Sequence, residues 1–177
     1  MLESSGLKFQ IRPMVKADLI FVLEWRNHPD VRRFMYNQHE IALLEHQQWF
    51  ERTLEDPKKH LLIFEVNHQS LGFVNFSETG SGGIAEWGFY AAPDAPKGSG
   101  RQLGHVALDH AFNQLKLHKV SGHVLAYNER SLQLHKTLGF RQEAILRDGH
   151  FDGQLHHNVI CFGLLCREWQ AHPKDKR

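Results

Sequence analysis

Cysteine is scarce in this chain, with only Cys161 and Cys166 among 177 residues. Five positions apart, they point to opposite faces if the segment is a strand, so neither a disulfide framework nor a pairing of the two is expected. No apolar run approaches the ~18 residues that a bilayer span requires. No signal peptide precedes the first strand, so the expected setting is reducing and cytoplasmic, with no membrane partner. Charge of one sign is missing too: 21 Lys and Arg against 20 Asp and Glu leave a net +1. That balance argues against a broad basic surface and so against a nucleic-acid partner. Fourteen histidines are present, yet metal-ligand spacing is absent. There is no His-Glu-x-x-His and no Cys-x-x-Cys, and His156 and His157 diverge on a strand, so no metal is expected. Without a linker or repeat, the chain is expected to form one domain over 1–177, with its core over about 7–169 and a charged, frayed tail from 170.

What is present is a regular alternation of elements. Residues 7–14 read as a strand, and 16–27 as a helix with Leu19, Val22, Leu23 and Arg26 on one face. A second helix covers 42–55 and stops before Asp56-Pro57. Residues 61–66 and 71–76 suit a hairpin around Asn67-His68-Gln69-Ser70. After a turn at Thr79-Gly80-Ser81-Gly82-Gly83, 84–92 is the next strand. The helix over 99–115 places Leu103, Val106, Ala107, Ala111 and Leu115 inward. A strand at 119–127, a helix at 129–138 and an antiparallel pair over 141–150 and 156–167, turning at Asp152-Gly153, complete the pattern. The expectation is an α/β (α+β) fold whose mixed, mostly antiparallel sheet of about six to seven strands has helices on both faces.

The segment over 84–115 is the most informative. Ile84-Ala85-Glu86-Trp87-Gly88-Phe89-Tyr90-Ala91-Ala92-Pro93 is an apolar strand, and Lys97-Gly98-Ser99-Gly100-Arg101 opens a helix. Free backbone N–H groups and the macrodipole at a helix start favour phosphate, and glycine lets the backbone approach it. Lys97 and Arg101 add formal charge. The loop is not a Walker P-loop, and Leu103 stands where a dinucleotide fingerprint needs its third glycine. About thirty residues on, a strand ends at Asn128 and a helix runs to Gly139, a candidate left-handed cap.

Strand–Gly98-x-Gly100–helix followed by strand–Asn128-x-x-Ser131-x-x-x-His135-x-x-x-Gly139-Phe140 resembles the GNAT superfamily of N-acetyltransferases. The resemblance implies that the glycine loop grips the pyrophosphate of acetyl-CoA. It assigns the co-substrate to Phe89, Tyr90 and Ala91 at the strand end, to Lys97, Gly98, Ser99, Gly100 and Arg101, and to Asn128 and Ser131. A tyrosine commonly stands in the family where His135 stands here. Trp25-Arg26-Asn27, His46-x-x-Trp49-Phe50 and Leu71-Gly72-Phe73-Val74-Asn75-Phe76 resemble, more narrowly, the branch that acetylates a nucleotide-linked amino sugar in pseudaminic acid biosynthesis. The Ala85-Glu86-Trp87-Gly88-Phe89 strand is shared with ribosomal-protein N-terminal acetyltransferases.

Acetyl transfer to an amine requires a proton acceptor, oxyanion stabilisation and a departing thiolate. Glu86 is the candidate acceptor, acting directly or through water, with burial among apolar neighbours raising its pKa. The backbone N–H of Phe89 or a neighbour suits the oxyanion, with Gly88 permitting a local distortion or marking a bulge. His135 either protonates or hydrogen-bonds the sulfur, or simply packs there. For the acceptor, Arg26 suits a phosphate or sugar hydroxyl, or a structural ion pair. His46 and Trp49 share a helix face fit for a uracil ring, with Trp49 as core the alternative. Asn75 orients the acceptor or satisfies a backbone group. Direct transfer in a ternary complex to the 4-amino group of a UDP-linked 4-amino-4,6-dideoxy sugar is the expected reaction, with homodimerisation compatible. The alternatives are a ribosomal-protein or peptide N-terminal acetyltransferase and a non-catalytic acyl-CoA sensor.

Overall fold

A computed structural model describes residues 2–4 and 6–171; of the tail expected from 170, Gln170 and Ala171 still belong to a helix, and the remainder lies outside the described residues. One sheet of eight strands runs through it in the order β1-β2-β3-β4-β5-β6-β8-β7. The strands are β1 (Leu2–Ser4), β2 (Leu7–Pro13), β3 (Lys59–Val66), β4 (Gln69–Glu78), β5 (Ile84–Ala91), β6 (Lys119–Leu125), β7 (Arg141–Phe151) and β8 (His156–Leu165). The count exceeds the six to seven expected because the three-residue β1 adds itself antiparallel to β2. Every neighbouring pair is antiparallel except β5 with β6.

The helices are α1 (Leu19–Asn27), α2 (Pro29–Arg32), α3 (Leu43–Leu54), α4 (Ser99–Asn113), α5 (Glu129–Thr137) and α6 (Cys166–Ala171). They cover both faces of the sheet because alternate strand residues are apolar on each side. On one face Leu103, Ala107, Leu108 and Ala111 of α4 and Trp169 of α6 pack on Val74, Phe76, Ala85 and Trp87. On the other, Leu19 and Val22 of α1 and Phe50 of α3 pack on Leu61, Ile63 and Phe73. Arg12 ties the start of α1 to the sheet, placing its guanidinium 2.7 Å from both Asp18 and Glu65. Asn67 and His68, at φ 49° and 67°, form the tight hairpin turn between β3 and β4. The predicted helix at 16–27 begins later, at Leu19, after a 3-10 turn over Lys16–Asp18.

Candidate active site

The parallel pairing of β5 with β6 covers only Ile84↔Lys119, Ala85↔Val120 and Glu86↔Ser121. Beyond those three pairs the strands separate. The distortion expected at Gly88 is not the cause, since the β4–β5 register is unbroken from Gly72↔Ala91 to Glu78↔Ala85. Gly88 instead makes room for its cross-strand neighbour: a Cβ there would lie 2.8 Å from the Asn75 side-chain oxygen. The Ala92 N–H donates to the Leu71 carbonyl of β4 at 2.8 Å. By the alternation of an antiparallel ladder, the N–H groups of Phe89 and Ala91 then turn the other way, into the gap beside β6. These donors are preset for a carbonyl or amide that enters between the strands.

A cavity of about 660 Å³ occupies this gap and the space above it. Phe89, Tyr90, Ala91, Ser99, Gly100, Asn128 and Ser131 all line it, whereas Lys97, Gly98 and Arg101 do not. Gly98 nevertheless sets the entry, because it caps α4 at φ 94°, a left-handed conformation that favours glycine. Ser99 is buried and spends its hydroxyl on the Pro96 carbonyl at 2.7 Å, so its contribution to a ligand is backbone. Asn128 caps α5 by accepting from the Ser131 N–H at 3.2 Å. The starts of α4 and α5 therefore converge on one end of the gap.

Glu86 lines the same cavity but is not buried, which corrects the expectation that apolar neighbours would enclose it. Alternation turns Ala85 and Trp87 to the α4 face and Glu86 to the opposite, open one. Its side chain is 51% exposed and lies 3.4 Å from Nδ1 of His123, itself 35% exposed.

His135 differs from expectation more sharply. It is 2% exposed, its Nδ1–H donates to the Ser131 carbonyl at 2.8 Å, and its Nε2 accepts from the Trp87 indole N–H at 3.1 Å. Phe162 stacks on the ring at 5.0 Å. Burial pushes its pKa down to about 4, against a small opposing effect of the Ser131 carbonyl. A neutral imidazole with both nitrogens engaged has no proton to donate near pH 7, so the general-acid role does not fit this geometry.

The acceptor residues divide. Asn75 lines the cavity, while Arg26, His46 and Trp49 are not among its lining residues. His46 is buried and stacks on Trp49 at 5.1 Å and 20°, and Trp49 meets Phe73 edge-on at 6.2 Å. The two rings fill the space that a uracil between them would need, so that expectation is corrected. Arg26 donates from Nη2 to the Asn37 carbonyl at 2.6 Å. Burial lowers its pKa, with Tyr90 nearby opposing the shift. Its Nη1 and the His46 Nε2 are buried without a hydrogen-bond partner.

Several residues of the site escaped the sequence reading. Asp30, Arg33, Phe34, Met35 and Tyr36 form a roof over β4–β6, and Ser77, His123 and Arg130 complete the walls. The roof is pinned from below: the Tyr127 hydroxyl donates to the Arg33 carbonyl at 2.9 Å and accepts from Gln38 at 3.2 Å. Tyr36 leans edge-on against His150 at 5.1 Å. The segment over 33–41 has no periodicity, so nothing in it announced a roof. Among the described residues no group of three or more His, Cys, Asp or Glu side chains could hold a metal, and no helix is long and apolar enough to cross a membrane.

Residues 8–141 match the family model of the acetyltransferase (GNAT) domain. Acetyltransferase PseH of Campylobacter jejuni is 32% identical over 126 residues, which cover 71% of this chain and 76% of that protein. Spermidine N(1)-acetyltransferase of Escherichia coli is 23% identical over 172 residues, covering 96% and 92%. A crystal structure of spermidine N-acetyltransferase from Vibrio cholerae, in complex with CoA and spermine, aligns with a TM-score of 0.85 at 23% identity, over 92% of this chain and 98% of that one. This last likeness is one of fold.

Proposed function

The chain belongs to the GNAT family of acetyltransferases, and from that premise we propose that it carries the acetyl group of acetyl-CoA to the 4-amino group of a UDP-linked 4-amino-4,6-dideoxy sugar, the step found in pseudaminic acid biosynthesis. Acetyl-CoA fits the gap between β5 and β6. Its diphosphate would meet the start of α4 at Ser99 and Gly100, and its amide arm would meet the strand donors of Phe89 and Ala91. The thioester carbonyl would then lie near the Phe89 N–H, which suits an oxyanion. The acceptor enters from the other side, under the roof.

One observation favours an anionic acceptor over others: the buried Nη1 of the Arg26 guanidinium is a donor without a partner. A buried polar atom left unpaired costs roughly 1–3 kcal/mol, a cost that a phosphate oxygen reached past Tyr90 would remove. Arg33 and Arg130 in the cavity wall add positive charge, and the exposed ring of Tyr36 offers an aromatic surface to a base. A polyamine acceptor is the second reading, supported by the near full-length match to a spermidine acetyltransferase and by Asp30 and Glu86 in the wall.

Release of thiol from acetyl-CoA, with the UDP-linked amino sugar, spermidine and short peptides offered separately, decides between them. Turnover on the sugar, lost about tenfold or more in kcat/KM on Arg26→Met with the acetyl-CoA KM unchanged, supports the proposal. Turnover on spermidine alone would transfer the site to polyamines. Turnover on peptides alone would leave Arg26 and His46 as structural residues.

A further inference from the structure

Beside the gap, on the acceptor face of the sheet, a histidine and a carboxylate stand together. The last parallel pair is Glu86↔Ser121, and His123 follows two residues later on the same face of β6, where the strands have parted. Its Nδ1 lies 3.4 Å from Glu86 Oε1, and both side chains are open to the cavity that they line. The geometry points to His123 as the general base of the acetyl transfer, with Glu86 as the residue that positions its imidazole. The inference rests on acetyl transfer to an amine at this site and deepens that reading.

A carboxylate facing Nδ1 favours the tautomer that carries its proton there, and so leaves the Nε2 lone pair free. The same carboxylate stabilises the imidazolium once it forms. The neutral amine attacks the thioester carbonyl, the new N–C bond forms, and the proton shed by nitrogen passes to Nε2. The C–S bond breaks with its electrons on sulfur. The imidazolium then releases its proton to cavity water, from which the thiolate regains one.

Other groups face the pair. Ser77 and Ser121 flank Glu86 in register, Cys161 of β8 is the cross-strand partner of His123, and Tyr36 hangs from the roof. Burial raises the pKa of both Tyr36 and Cys161, helped for Tyr36 by Cys161 and then Glu86, and for Cys161 by Glu86 and then Glu143. Both therefore stay neutral near pH 7 and leave the Glu86–His123 charge balance alone. His135, behind β6 and bonded on both nitrogens, cannot substitute.

The test is thiol release across about pH 5.5–9 with the UDP-linked amino sugar, run beside the slow hydrolysis of acetyl-CoA with no acceptor. His123→Gln is expected to lower kcat ~100-fold and to flatten the acid limb of the profile, with the acetyl-CoA KM unchanged. Glu86→Gln is expected to cost about tenfold and shift that limb, and the double variant to be no slower than His123→Gln. Added imidazole should restore part of the turnover of His123→Ala, a rescue that a merely structural role would not give. A larger loss in Glu86→Gln, with the acid limb intact in His123→Gln, would make the carboxylate itself the base and overturn the inference. If wild-type protein ignores the sugar, the acceptor assignment fails by itself. The order of the variants in acceptor-free hydrolysis, which needs the same base to activate water, then supports or overturns the role of His123.

Discussion

His123 and His135 lie against opposite faces of one strand and have little in common chemically. His123 stands in an open cavity with a carboxylate at 3.4 Å. His135 is enclosed by Trp87, Phe140 and Phe162 and gives its two nitrogens to an indole donor and a backbone carbonyl. A residue type suited to proton transfer becomes a wall when burial removes its charge, and its neighbour across the strand inherits the chemistry. The family resemblance pointed to the helix position at 135; the surroundings of the two rings favour the strand position at 123.

The contrast is sharpest in acid. Folded His135 has a pKa of about 4, while an unfolded histidine titrates near ~6.5. Between those values the unfolded chain binds a proton that the folded one refuses. The contribution of this site is therefore full above about pH 6.5 and falls by up to about 3 kcal/mol as the pH drops to 4. Urea unfolding at pH 7 and at pH 4.5 reads the loss, and its difference from His135→Phe isolates this histidine from the others. An equal acid loss in both proteins would show that the ring is not held neutral.

A smaller effect tests the packing that keeps it so. A Cβ on Gly122 would lie 2.5 Å from His135 Nε2 and 2.9 Å from the Trp87 indole nitrogen. Gly122→Ala should cost about 2 kcal/mol by crowding both rings, visible as a lower urea midpoint at unchanged slope. The smallest expected change concerns the helix that carries His135. Asn128→Ala removes the cap of α5 and should cost about 1 kcal/mol, with a rise in the acetyl-CoA KM. Calorimetry and steady-state kinetics on the same preparation read the two together.

Local rules carried much of the fold. Apolar spacing placed Leu103, Ala107 and Ala111 in the core, and Gly139, at φ 90°, ends α5 as its position suggested. The gap was legible through Gly98 and Asn128, which sit at helix starts where chain geometry demands them. The pairing of faces was not. Whether Glu86 or Trp87 turns to the open side depends on the register of β5 against β4 and β6, which sequence spacing leaves undetermined. His46 and Trp49 share a face of α3 as expected, but that face meets Phe73 rather than solvent. Arg33 and Tyr127 are joined by a hydrogen bond across 94 positions of sequence, beyond the reach of any local pattern.

A crystal structure with CoA bound tests the central claim most directly, because it shows whether His135 stays in the wall or turns to the sulfur. The expected result has the diphosphate at the start of α4 and the sulfur in the gap beyond Glu86 and Ser121, with the Trp87–His135 hydrogen bond intact. A structure in which Trp87 has released His135, and the imidazole has turned to the sulfur, would contradict it.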